Sequence, residues 1–155
     1  MQPRAVARLT QSDAAYLAGL IDGEGTIALS RRHARENRQL VVTISSTERV
    51  LVDWVLLATR AGKITSKKPA ATHHAPGLTY VIANRQALAL LQQVMPFLKS
   101  YKVHRARLVL DQYVKLTPRN GKYDLRTRNA RTEFERQFAS TSIRRVAPSN
   151  KHADD

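Results

Sequence analysis

Apolar and polar positions alternate with two different periods along this chain, and the changes of period mark out its elements. Residues 12–21, "SDAAYLAGLI", repeat as a helix, with Leu17, Leu20 and Ile21 on a core side and Ser12 or Asp13 placed to cap the first turn. Gly23 and Gly25 are expected to end it. "TIALSRRH" then alternates as a strand: Ile27 and Leu29 point one way, Thr26, Ala28, Ser30 and Arg32 the other. After the polar link "HARENR", "QLVVTIS" alternates again, with Leu40, Val42 and Ile44 inward and Gln39, Val41 and Thr43 outward. The pair reads as a hairpin with one apolar face and one polar, basic face. "SSTERVLVDWVLLATRAG" reads as a helix capped by Ser46 or Thr47 and stopped at Gly62. "KITSKKP" and "GLTYVIA" form a second hairpin around the flexible loop "AATHHAP". Helical spacing resumes over residues 84–95 (Leu88, Leu91, Val94, Met95), and Pro96 breaks it. "FLKSYKVH" leads into a helix near 103–116, "TPRNGKYDLRTRNAR" reads as a basic loop, and "TEFERQFA" as a short last helix. From Ser140 the composition predicts a flexible basic tail.

The order is α-β-β-α-β-β-α-α plus a small final helix. It predicts an α+β fold in one domain, residues 1–139, with residues 140–155 as tail. Both hairpins can join one curved antiparallel four-stranded sheet, with helices over its apolar face. The open face carries Thr26, Ala28, Ser30, Arg32, Gln39, Val41, Thr43, Lys63, Thr65, Lys67 and Thr79. An uncovered basic sheet of this kind can enter a DNA major groove.

Charge sharpens that picture. Lysine and arginine number 26 against 12 acids in 155 residues, a net charge of +14. Such a surplus points to a polyanionic partner, nucleic acid ahead of an anionic membrane. The hydrophobic fraction of 43% supports a sizeable core. The absence of cysteine excludes disulfides and thiolate zinc sites and fits a reducing compartment. No stretch approaches the ~18 apolar residues of a membrane span, and the start has no signal-peptide apolar core, so an intracellular protein beside its nucleic acid is expected.

Within this basic chain two acids, Asp22 and Glu24, sit at the C-terminal end of the first helix, where the helix dipole disfavours them. Ala15, Gly19 and Gly23 recur every four residues on one face of the same helix. A small-residue stripe lets two helix backbones approach. One reading pairs this helix with its copy across a two-fold axis, so that the acids converge and a divalent cation compensates them. The other packs Gly19 internally, lets Asp22 cap the turn and leaves Glu24 solvated. "GEGTIA" formally matches a dinucleotide fingerprint, but it follows a helix and precedes a strand, the reverse of what that motif requires. His73 and His74 lack an evident third ligand, and the other histidines stand alone.

"LAGLIDGEG", Leu17 to Gly25, resembles the signature of the LAGLIDADG homing endonucleases, with Gly23 for the usual Ala and Glu24 for the usual second Asp. "MPFLKSYKVHRARLVL" resembles that family's basic segment leading into a late helix. The resemblance covers roughly residues 13–116. It implies the αββαββα homing-endonuclease fold, and the single motif copy implies the homodimeric subclass. It further implies cleavage of both strands of double-stranded DNA at a long, nearly palindromic site, with Mg²⁺ as cofactor and Mn²⁺ or Ca²⁺ able to replace it in binding.

Residue by residue, the resemblance makes Glu24 the metal-binding catalytic acid and Gly23 a metal ligand through its carbonyl. It makes Asp22 a structural acid at the dimer interface with Ala15, Gly19 and Gly23. Lys102 matches the active-site lysine, with Lys99 as fallback. Ser46 and Arg49 stand nearest to the polar and basic residues beside the scissile phosphate. Arg126, Arg128 and Arg131 are expected to grip the DNA backbone. The rival reading is a catalytically silent intron maturase, or a DNA- or RNA-binding protein of the same fold.

Overall fold

The computed structural model describes residues 5–67 and 77–142; the expected loop with His73 and His74, and the tail from residue 143, lie outside it. The elements run α1 (Gln11–Glu24), β1 (Gly25–Ser30), β2 (Gln39–Ser46), α2 (Arg49–Thr59), β3 (Lys63–Lys67), β4 (Gly77–Ala83), α3 (Asn84–Val94), a 3₁₀ turn (Met95–Phe97), α4 (Lys102–Gln112) and α5 (Leu125–Ser140). The strands form one antiparallel sheet in the order β1-β2-β4-β3. Its register pairs Gly25 with Ile44, Ile44 with Tyr80, and Tyr80 with Ile64.

The alternation read from the sequence is the alternation of burial. Ile27, Leu29, Leu40, Val42, Ile44, Leu78, Tyr80 and Ile82 all lie buried on one face of the sheet. They share a core with Leu17 and Ile21 of α1, Val52 and Val55 of α2, Leu90, Leu91 and Val94 of α3, Val109 of α4 and Phe134 of α5. Each large side chain so covered contributes about 1.5–3 kcal/mol relative to exposure. The Tyr80 hydroxyl reaches into this core to donate to Ala61 O at 2.7 Å. Burial pushes its ionisation up to about 12, with the Thr59 hydrogen bond opposing the shift.

The element ends differ from expectation in instructive ways. Thr10, rather than Ser12 or Asp13, caps α1; its hydroxyl accepts from Asp13 N at 3.1 Å. The helix then continues through Gly23 to Glu24, and only Gly25 ends it. A Cβ on Gly25 would lie 2.7 Å from Ile21 Cα and 2.9 Å from Thr43 O, so helix and strand meet there backbone to backbone. Before α2 the cap position falls on Glu48, and Ser46 Oγ accepts from Glu48 N at 2.9 Å instead of capping the helix. Arg60 takes the left-handed conformation that ends α2, with φ 53°, ahead of Gly62. The expected basic loop is shorter than it reads. Asp124 accepts from Thr127 N at 2.7 Å and starts a 16-residue α5, which places Arg126, Arg128 and Arg131 on a helix.

Candidate active site and nucleic-acid interface

The site is built where α1 hands over to β1. Near the end of a helix the carbonyls run short of N–H donors; Ile21 O still accepts from Gly25 N, and a further donor completes this end. Here it is Lys102, at the start of α4. Its Nζ donates to Ile21 O at 2.7 Å and to Asp22 O at 2.8 Å, and the residue is only 7% exposed. Burial pulls the Lys102 ammonium below its ordinary pKa; Asp22 opposes, Arg105 reinforces and Glu24 opposes. In the other direction, Asp22 accepts from Lys99 N at 2.8 Å, from Ser100 N at 3.2 Å and from the Ser100 hydroxyl. Burial raises the Asp22 carboxyl, but these hydrogen bonds and Lys102 more than reverse the shift and hold it below the usual carboxylate range.

Glu24 closes α1 as an exposed residue, and Gly23 before it is exposed too. Together they offer a carboxylate and a peptide carbonyl, an oxygen-only set of the kind hard divalent cations take. Among the described residues no three His, Cys, Asp or Glu cluster to hold a metal. Ser46 ends β2 two residues beyond Ile44, the register partner of Gly25, and is half-buried. Arg49 is exposed and ion-paired with Asp53 at 3.4 Å. Along α1, Ala15, Gly19 and Gly23 are exposed, and an added Cβ on either glycine would meet nothing within 4 Å. Beside this stripe Tyr16, 49% exposed, stands edge-on to Trp54 with ring centroids 5.0 Å apart.

The opposite face of the sheet is polar. Thr26 and Thr43 share a hydroxyl hydrogen bond of 2.6 Å, and Ser45 and Thr79 one of 2.9 Å. The Thr65 hydroxyl donates to Thr79 O at 3.5 Å, and Asn84 donates to the Gln39 side chain at 3.4 Å. An open groove of about 2010 Å³ runs along the end of the sheet where β1 and β4 finish and β2 and β3 begin, lined by Ser30, Arg32, Gln39, Val41 and Lys63. Thr26 and Ala28 lie on the same face, exposed and half-buried respectively, and Lys67 ends β3. The groove is also walled by Arg35, Arg60, Arg85 and Arg119, which the strand pattern did not single out because they sit in connections and at helix ends.

Arg126 and Arg128 are exposed on α5. Arg131 departs from the expectation of a backbone grip. It is 4% exposed, donates to Leu116 O at 2.8 Å, to Thr117 Oγ1 at 2.6 Å and to Arg38 O, and pairs with Glu135 at 3.7 Å. Its guanidinium also lies over the rings of Tyr113 and Tyr123. These internal partners leave it no face for a phosphate. Arg105 is a second internal tie missed in the sequence: it donates to Ile27 O at 2.8 Å and to Thr141 Oγ1 at 3.0 Å, and lies over Phe138 and Tyr101.

No protein-family model matches the chain, and no curated protein sequence matches it significantly. Solved structures do resemble it. The homing endonuclease I-CvuI, in complex with its target, superposes with a TM-score of 0.68 at 18% identity over 88% of this chain and 85% of that one. The archaeal intron-encoded homing endonuclease I-Vdi141I, complexed with DNA, gives 0.63 at 15% identity over 86% of each. The I-LtrWI LAGLIDADG homing endonuclease, bound to target DNA, gives 0.56 at 15% identity over 92% of this chain and 48% of that one. With its four-stranded antiparallel sheet and the α1–β1 junction at its end, this chain has the LAGLIDADG homing-endonuclease fold.

Proposed function

We propose that the chain is a site-specific DNA endonuclease of the homing type, acting as a homodimer on a long, nearly palindromic site. The observation that carries this reading is Glu24: an exposed carboxylate held at the end of α1, beside a helix stripe open to a second copy and below a polar sheet with a basic rim. Structures of similar fold complexed with DNA support the substrate class.

Two α1 helices meeting through Ala15, Gly19 and Gly23 bring two Glu24 carboxylates together. These, with Gly23 carbonyls, would hold Mg²⁺, with Mn²⁺ or Ca²⁺ substituting in binding. A divalent cation bound there supplies charge stabilisation at the scissile phosphate and a water of lowered pKa. Asp22 anchors the turn that starts α4 and so fixes the angle at which Glu24 is presented. Lys99 and Arg49 contribute positive charge beside the phosphate, and Ser46 a hydroxyl. The outward Thr26, Ser30, Arg32, Gln39, Thr43, Lys63, Thr65 and Thr79 read base edges or phosphates, while Ala28 and Val41 offer apolar contacts. Arg126 and Arg128 bind backbone phosphate.

The test is selection of cleavable sites from a randomised duplex library in Mg²⁺, followed by Glu24→Gln. The wild type is expected to yield one extended, nearly palindromic sequence. The variant should bind it and not cut it. Binding of the selected site by the wild type without nicking would leave a DNA-binding protein and remove the nuclease reading.

A further inference from the structure

We propose that Lys102 is a positioning residue, which acts on the cut by holding the end of α1 and therefore Glu24, and does not itself touch the scissile phosphate. This rests on the nuclease reading above. Two observations carry it. First, two of the ammonium's three N–H donors are committed, to Ile21 O at 2.7 Å and Asp22 O at 2.8 Å, and the residue is 7% exposed. Second, the tie is returned from the other side, since Asp22 accepts from the backbone of Lys99 and Ser100. The C-terminal end of α1 and the N-terminal turn of α4 thus clasp each other.

The clasp explains a feature the local sequence does not. Glycine is a poor helix residue and a common helix end. Yet α1 runs helically through Gly23 and delivers Glu24 as its last helical residue. The carbonyls held by Lys102 belong to the two residues just before Gly23. Without the ammonium, this end keeps the Gly25 N–H on Ile21 O but loses its tie to α4 just before the acid. Lys99, on the same turn, is exposed and remains free for solvent or phosphate.

Amine-reactive labelling of the DNA-free wild-type chain, read by mass spectrometry, is the first test. Lys102 should be protected while Lys99 is modified; equal rates would overturn the proposal. The second test is the Mg²⁺ dependence of cleavage, well below the unfolding temperature. Groups that orient a metal ligand from behind typically change metal affinity by about 10–100-fold when lost. Lys102→Met should therefore raise the Mg²⁺ midpoint by about tenfold or more, whereas Lys99→Met should leave it unchanged. A Lys102→Met enzyme with an unaltered midpoint and a lower rate at saturating Mg²⁺ would show direct phosphate contact and overturn the proposal. A third arm needs no catalysis: Asp22→Asn and Lys102→Met should lower Tm less together than the sum of the two alone, and strict additivity would refute the clasp. Should Lys102→Met not fold, labelling of the wild type still decides. If the wild type cuts no DNA, the nuclease reading fails, while labelling and coupling still test the clasp by themselves.

Discussion

Replacing Arg131 by methionine separates a structural arginine from a DNA-binding one. Methionine keeps much of the apolar stem but removes the guanidinium. Three acceptors then lose their donor: Leu116 O, Thr117 Oγ1 and Arg38 O. Hydrogen bonds to a charged group are worth about 1.5–3 kcal/mol each, and part of that is returned because a buried cation no longer needs desolvating. Glu135 also loses its contact at 3.7 Å and keeps only Arg38, at 4.0 Å. A net loss of about 3 kcal/mol follows, within the range for breaking buried charged networks. For a chain of this size that lowers Tm by roughly 6–12 °C. Thermal unfolding followed by circular dichroism measures it. DNA affinity measured against salt in the folded range supplies the contrast. Each phosphate contact adds about 0.9 to the slope of log K against log salt, so Arg131→Met should leave the slope unchanged and Arg128→Ala should reduce it. An Arg131→Met protein with wild-type Tm and a slope reduced by about 0.9 would refute the internal role.

Three further outcomes are expected. Gly19→Leu finds open space within its own chain, so the protein should stay folded but sediment as a monomer where the wild type sediments as a dimer; a dimeric variant would eliminate α1 as the interface. Gly25→Ala puts a methyl group against Ile21 Cα and Thr43 O, so α1 must move off the sheet, with about 1–3 kcal/mol lost and cleavage impaired; wild-type stability would show that the contact relaxes freely. Of the 5 tyrosines, one should ionise at about 12 in a spectrophotometric titration and be missing from Tyr80→Phe. Because the folded value is raised, the stability tied to Tyr80 is present below pH ~10 and lost as pH rises through about 12; a pH profile of unfolding unchanged by Tyr80→Phe would contradict this.

The strands were legible because their chemistry is local. Ile27 and Leu29, then Leu40, Val42 and Ile44, need only a period of two and a core on one side, and all five are buried. The acids at the end of α1 stand out in the sequence as a candidate site because their position is unfavourable for a helix alone. Long-range partners were not legible. Gly23 reads as a helix end because nothing nearby announces Lys102, about eighty residues later, as a donor to the carbonyls of Ile21 and Asp22. Arg131 reads as a surface arginine because its neighbours are polar, and its burial depends on carbonyls of Leu116 and Arg38 that only the folded chain assembles. The start of α5 was hidden for a smaller reason: Asn120, Gly121 and a run of basic residues look like a loop, and a single capping contact from Asp124 is enough to begin a helix among them.

The two faces of the sheet also divide what this protein can change from what it must keep. The inner face is fixed by close packing, and a change of one methylene there is felt throughout the core. On the outer face, Thr26, Thr43, Ser45 and Thr79 bond mainly to one another, as hydroxyls that can either donate or accept. Substitutions there cost the fold little and, with the sheet reading DNA as proposed, would alter which bases are preferred. A lineage carrying this scaffold could therefore drift from one DNA address to another by single steps, without passing through an unfolded ancestor.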